Sequence, residues 1–233
     1  MLRLGKLQYS SVMIHPETDA ETGKAAGKLE NSSVMMIQPE TDAETGKAGV
    51  QLSSGPASGK GTQCEKLSQK YNLTYLSIAD LLQSDLAAAS ERSKLIKDLM
   101  QHGNPVSIEI ILEILKDAVS SSLGSTKGFV LGAFPCEVRQ AEELECKLCA
   151  PNLVLYLDCS AEIMTTRVVG RSKVSHRNEV ATENVKRRLQ MFYQAMEPLL
   201  TYYKTKGLLC KINAERSPEQ VFLQVCTAVD AIF

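Results

Sequence analysis

Lys60 stands in a small-residue turn, SGPASGKGTQC, that runs from Ser54 to Cys64. A turn of this kind can hold the phosphates of a nucleotide. Glycines at Gly55, Gly59 and Gly61 tolerate backbone angles that a side chain would forbid, so successive N–H groups can face one anion while Lys60 adds a mobile positive charge. The following Gln63–Tyr71 has helix-forming residue types, and its N-terminal dipole would favour phosphate. Read strictly, the pattern G-x-x-x-x-G-K-[ST] fails twice: Ser54 occupies the first glycine and Gly61 the hydroxyl position, with Thr62 one residue late. Taken alone, the stretch is equally a phosphate loop or a flexible turn that contains Gly-Lys.

The chain around this turn has 233 residues, 44% hydrophobic and 23% charged, with a formal net charge of −1. That is an ordinary soluble composition, and the balanced charge points to neither nucleic acid nor an anionic membrane as partner. No apolar run approaches membrane-spanning length and no signal-peptide core is visible, so a cytoplasmic protein is expected. Seven scattered cysteines argue for a reducing compartment over a disulfide framework. Cys146 and Cys149 form a lone C-x-x-C; without a second pair or a histidine nearby, packing of a helical face explains them better than zinc.

Residues 10–25 return almost letter for letter at residues 32–48. Two copies fall short of a stacked repeat architecture, and each is mostly polar and acidic, so residues 1–48 are expected to be a disordered extension. Both copies end in Gly-Lys, yet Glu40, Asp42 and Glu44 would repel phosphate from the second. The partner of this segment, if it has one, is unknown.

From Gly49 the texture alternates between strands and helices. Gly49–Ser53 alternates like a half-exposed strand; were it central, Gln51 and Ser53 would need buried hydrogen-bond partners, with reduced stability unless Val34–Ile37 docks nearby. Thr74–Ile78 reads as a strand, Ala79–Ala89 and Glu91–His102 as helices, and Ser107–Ser122 as a helix capped by Ser107. Phe129–Leu131 and Leu153–Leu157 are apolar runs suited to buried parallel strands. Glu183–Lys206 reads as a helix interrupted near Pro198, Leu209–Asn213 as a last strand and Pro218–Ile232 as a last helix. The alternation predicts an α/β fold, a parallel sheet with helices on both faces.

From Ser54 to Phe233 the chain resembles the adenylate kinases, which are nucleoside monophosphate kinases. The likeness is carried by GKGTQCEKL, ERSKLIKDLM, PCEVRQAEE, NVKRRL and KINAE. It is greatest to the short-lid cytosolic forms and the kinase domains of isoenzyme five. The resemblance implies a three-layer fold with a five-stranded parallel sheet and a domain spanning residues 49–233. It also implies a monophosphate-binding region near residues 78–107 and a short lid near residues 172–180. It further implies transfer of the ATP γ-phosphoryl group to AMP with Mg2+, by a monomer. ATP phosphates would lie against Gly55, Ala57, Ser58, Gly59, Lys60, Gly61 and Thr62. Arg167 would stack on the adenine, Arg171, Arg177 and Arg188 would clamp phosphates, and Gln140 would read the adenine of AMP.

The other half of the implied site departs from the family. Gly132 stands where the family's metal-holding Asp ends the third strand, in GFVLGAFPCE against roughly GFLIDGYPRE. Cys136 and Gln83 replace two arginines that grip the AMP phosphate, Ile78-Ala79 replace a Thr-Gly pair, and Glu179 and Val180 replace the lid's paired aspartates. Losing one charge-assisted phosphate contact costs on the order of 2–5 kcal/mol, which is several powers of ten for two. The expectation is a protein that binds ATP or another nucleotide, with AMP bound weakly if at all and adenylate kinase activity weak or absent. The alternatives are an active nucleoside monophosphate kinase with altered acceptor choice and a non-catalytic binding or scaffold protein.

Overall fold

The computed structural model describes residues 48–102, 104–174 and 182–232. Five parallel strands, β1 (Ala48–Ser54), β2 (Leu73–Ser77), β3 (Gly128–Gly132), β4 (Leu153–Asp158) and β5 (Leu209–Asn213), form one sheet in the order β2-β3-β1-β4-β5. Among the described residues the helices are α1 (Lys60–Tyr71), α2 (Ile78–Ala87), α3 (Glu91–Gln101), α4 (Ile108–Ser122), α5 (Val138–Lys147), α6 (Ala161–Val174), α7 (Thr182–Thr205) and α8 (Pro218–Val229). The predicted α/β class and its five-stranded sheet are therefore present.

Alternate residues of a strand face opposite layers, and β4 supplies both cores, with Leu153, Leu155 and Leu157 on one side and Val154 and Tyr156 on the other. Val50 and Leu52 join Leu67 of α1 and Val221 and Val225 of α8 on one face. On the other, Val154 and Tyr156 of β4 pack with Ala141 of α5 and Met196, Leu199 and Tyr203 of α7. A third cluster joins Leu76 and Leu131 to Leu82, Ile96 and Leu115 of α2, α3 and α4.

The half-exposed reading of Gly49–Ser53 is corrected. The strand is central, paired to β3 and β4, and Val50 through Ser54 are all buried. The polar pair does find partners: the Tyr203 hydroxyl donates to Gln51 Oε1 at 3.0 Å, and Gln51 Nε2 donates to Ser53 Oγ at 3.3 Å. The alternation thus records a polar bridge to α7 and not a solvent face. Val34–Ile37, expected to dock nearby, lie outside the described residues.

The break expected near Pro198 is also absent, since α7 runs through it for 24 residues. A proline inside a helix costs about 3 kcal/mol. Burial of Met196, Leu199 and Tyr203, each about 1.5–3 kcal/mol, outweighs it. Cys146 and Cys149 are exposed at the end of α5 and beyond it, so packing does not account for them. Other boundaries shift by a few residues: α1 opens at Lys60 and not Gln63, β2 ends at Ser77, and α2 ends at Ala87. Ser107 does cap α4, accepting from the Ile110 N–H. No pattern in the sequence had separated α5 and α6 from their surroundings.

Candidate functional site

In an open parallel sheet, ligands settle beyond the carboxyl ends of the strands, where neighbouring connections leave in opposite directions. Here that point lies between β1 and β3. The chain leaves β1 for β2 on one side and leaves β3 for β4 on the other. The loop Gly55–Gly59 and the loop Ala133–Glu137 therefore face each other across one crevice.

The first loop is zipped by its own serines. Ser54 and Ser58 hydroxyls lie 2.5 Å apart, and the Ser58 hydroxyl donates to the Gly55 carbonyl at 2.8 Å. Ser54, which breaks the strict motif, thus closes the turn. A Cβ at Gly55 would meet Met164 Sδ, so any substitution there requires the buried Met164 side chain to move. Gly59, at φ +101°, is the left-handed residue that launches α1. Ala57 holds φ +58° without being glycine.

Lys60 opens α1, and its ammonium donates to the Ser54 carbonyl at 2.6 Å, folded back over the turn. Burial pushes its pKa below the ordinary lysine value, while Cys136 and Cys64 oppose that shift. The same burial pushes the Cys136 thiol up, against the pull of Lys60. Lys60, Cys64 and Cys136 therefore form one electrostatic group, which adjacency in the chain does not reveal. Thr62 is exposed on the first turn of α1, and a Cβ at Gly61 would meet open space.

Arg167 of α6 reaches the same turn. Its guanidinium donates to the Ala214 carbonyl at 3.1 Å and to the Ser58 carbonyl at 3.5 Å, joining the loop after β5 to the turn. Beside it, the Ser160 backbone N–H holds the Glu215 carboxyl below the usual carboxylate range, with a smaller pull from Arg167. Arg171 lies one helical turn further along α6, and Arg188 lies on α7. Arg177, Glu179 and Val180 lie outside the described residues.

Across the crevice, Gln140 of α5 is buried and its Oε1 accepts the Cys136 N–H at 2.9 Å. The Cys136 thiol donates to the Ala133 carbonyl at 3.3 Å. Gln140 is thereby tied to the loop that carries Cys136. Gln83 is exposed on α2, with Ile78 and Ala79 at the start of that helix. The structure also places a residue that the sequence had not singled out. Tyr75 of β2 crosses to Gly132, where an added Cβ would lie 3.0 Å from Tyr75 Cε2, 3.1 Å from its hydroxyl oxygen and 3.2 Å from Cys64 Sγ. Nothing in the sequence signals this approach, because Tyr75 and Gly132 lie 57 positions apart and meet only through the β2–β3 pairing.

No group of three or more metal-ligating side chains occurs among the described residues, and none of their helices is long and apolar enough to cross a membrane.

A parallel sheet in this strand order, with a serine-zipped glycine turn leading from the central strand into a helix headed by lysine, defines the P-loop kinase class of α/β fold. The family profile described as Adenylate kinase matches residues 52–208. The chain is 50% identical over 182 residues to adenylate kinase isoenzyme 5 of Mus musculus, covering 78% of this chain and 32% of that protein. It is 43% identical over 178 residues to adenylate kinase isoenzyme 1 of Homo sapiens, covering 76% of this chain and 92% of that one. The chain belongs to the adenylate kinase family. It spans about a third of the length of its isoenzyme 5 relatives.

Proposed function

We propose that this chain binds ATP at the turn headed by Lys60 and phosphorylates AMP weakly or not at all. Lys60, with Arg171, Arg177 and Arg188, is the cationic set for the triphosphate, and Arg167 is the residue beside the adenine. Phosphoryl transfer asks the protein mainly to position its two substrates and to offset charge on the transferring oxygens. The observation that carries the reading is the asymmetry across the crevice. One wall holds Lys60 and Arg167, whereas the other presents a neutral Cys136 thiol where an acceptor phosphate needs a cation. Gln83, exposed and uncharged, does not make up the loss.

Mg2+ fits this site poorly. It demands hard oxygen ligands, usually a carboxylate beside the substrate phosphates. At Gly132 there is no side chain, and the space a carboxylate would enter is taken by the Tyr75 ring and Cys64 Sγ. The residues present therefore hold the nucleotide's phosphates directly, through the backbone of the turn and Lys60.

Calorimetric titration tests the reading on the intact chain. ATP is expected to bind and Lys60→Ala to abolish binding, while a coupled assay with AMP shows little turnover. Failure of ATP to bind, or brisk turnover with AMP, would overturn it.

A second reading is favoured by Gln140, which stays buried and fixed against the Cys136 loop. It holds that the chain is a kinase with another acceptor. The same assay run with CMP, UMP and GMP decides it, and turnover with none of them removes it. The preferred reading carries with it a cytoplasmic monomer whose domain occupies residues 49–233, with residues 1–48 as an extension.

A further inference from the structure

The Tyr75 phenol occupies the place where a side chain on residue 132 would project, on the face of the sheet that α1 covers. Gly132 ends β3 directly beside Leu52 of β1, and Ser54 and the Lys60 turn follow two residues further on. Cys64, whose sulfur also borders the space, sits in the first turns of α1, the helix that Lys60 heads. Three groups thus converge behind the turn: a phenol, a thiol and an ammonium.

Resting on the reading of the Lys60 turn as a nucleotide site, we propose that Tyr75 substitutes a neutral hydrogen-bond donor for the metal-holding carboxylate, so that this chain binds the metal-free polyphosphate anion of a nucleotide in preference to its magnesium chelate.

Charge and ligand chemistry both lead there. A carboxylate beside the phosphates serves a dication and repels a bare polyanion. Removing it leaves Lys60 and the positive end of α1 unopposed at the turn. A magnesium ion halves the charge of an ATP tetra-anion, so it weakens attraction to Lys60 and gains no carboxylate in return. The phenol and thiol do not compensate. Burial is the main cause pushing Tyr75 up to about 12 and Cys64 up to about 12, so both keep their protons at neutral pH. In that state the half-buried phenol is a donor to an anion, and both groups are poor ligands for a hard cation. Among the groups that act on the Tyr75 phenol, the carboxylate is Asp80, exposed on the first turn of α2, and Ser77 and Cys64 hydrogen-bond to it.

Refilling Gly132 requires the Tyr75 ring to give way. A carboxylate there would need space beyond a Cβ that already touches an aromatic ring at 3.0 Å. Space for the carboxylate and loss of the phenol are one structural change.

The test is calorimetric titration of the full chain with ATP, once in excess EDTA and once in saturating Mg2+. The expected result is binding roughly tenfold or more tighter in EDTA. Tyr75→Phe keeps the ring and removes the donor. It is expected to weaken binding in EDTA by about tenfold, the usual loss for a hydrogen bond to a charged group, and to leave binding in Mg2+ unchanged. Gly132→Asp combined with Tyr75→Ala is expected to reverse the preference. Equal or tighter binding of Mg-ATP by the unaltered chain overturns the proposal while leaving the nucleotide site intact. Absence of binding in both conditions overturns the nucleotide site and the proposal together.

Discussion

Two residues of the crevice carry measurable strain or burial. Ala133 holds φ +68°, a left-handed conformation that costs a non-glycine residue about 1–2 kcal/mol. Ala133→Gly relieves that strain, and the freer unfolded chain takes back about 0.5–1 kcal/mol. The expected outcome is a gain of about 0.5–1 kcal/mol in urea unfolding. Cys64 is fully buried, and burial pushes its thiol up to about 12. The folded chain keeps this proton, whereas the unfolded chain releases it above about pH 8.5. The stability tied to it is complete below that pH and is lost as pH rises toward 12, by about 1.4 kcal/mol per pH unit. Urea midpoints from pH 8 to pH 10 should fall more steeply for the native chain than for Cys64→Ala.

At the scale of elements, the central strand depends on a distant helix. Gln51 is 1% exposed, and its Oε1 is held by the hydroxyl of Tyr203, itself 1% exposed on α7. Tyr203→Phe leaves that acceptor buried without its donor, and should cost about 1–3 kcal/mol in urea unfolding. Gln51→Leu tests the same bridge from the other end, since removing both polar partners together should cost less than the single changes sum to. The helices α2, α3 and α4 are joined in a comparable way. Arg92 of α3 pairs with Asp85 of α2 at 2.6 Å and with Asp117 of α4 at 2.9 Å. Asp85 is 9% exposed, so Arg92→Ala strands a mostly buried carboxylate, and amide hydrogen exchange in α2 should accelerate.

At the scale of the whole molecule, every strand pairing among the described residues begins at or after Ala48, which stands level with Gly128 of β3. A chain shortened by residues 1–45 should therefore keep its urea midpoint within about 0.5 kcal/mol and its ATP affinity within about twofold. A larger loss in either would give the repeated segment a part in the domain. Because the crevice lies between loops from β1 and β3, its two walls are held by different elements, and Lys60 and Cys136 couple electrostatically across it. The Lys60 turn depends on α1 and α6, while the Cys136 loop depends on β3 and α5.

Local signals in the chain were enough for the turn around Lys60, the apolar strands β3 and β4, the cap at Ser107, and hence the alternating α/β order. Each depends on residues close in sequence, where spacing and residue type act directly. The burial of Gln51 was not legible, because its partner Tyr203 comes 152 residues later and only sheet order brings α7 over β1. The continuity of α7 through Pro198 was decided likewise by what its flanks bury. The meeting of Tyr75, Cys64 and Gly132 belongs to the same kind. A glycine's significance lies in what fills the space it leaves, and that neighbour is chosen by strand pairing and helix packing, which no local pattern encodes.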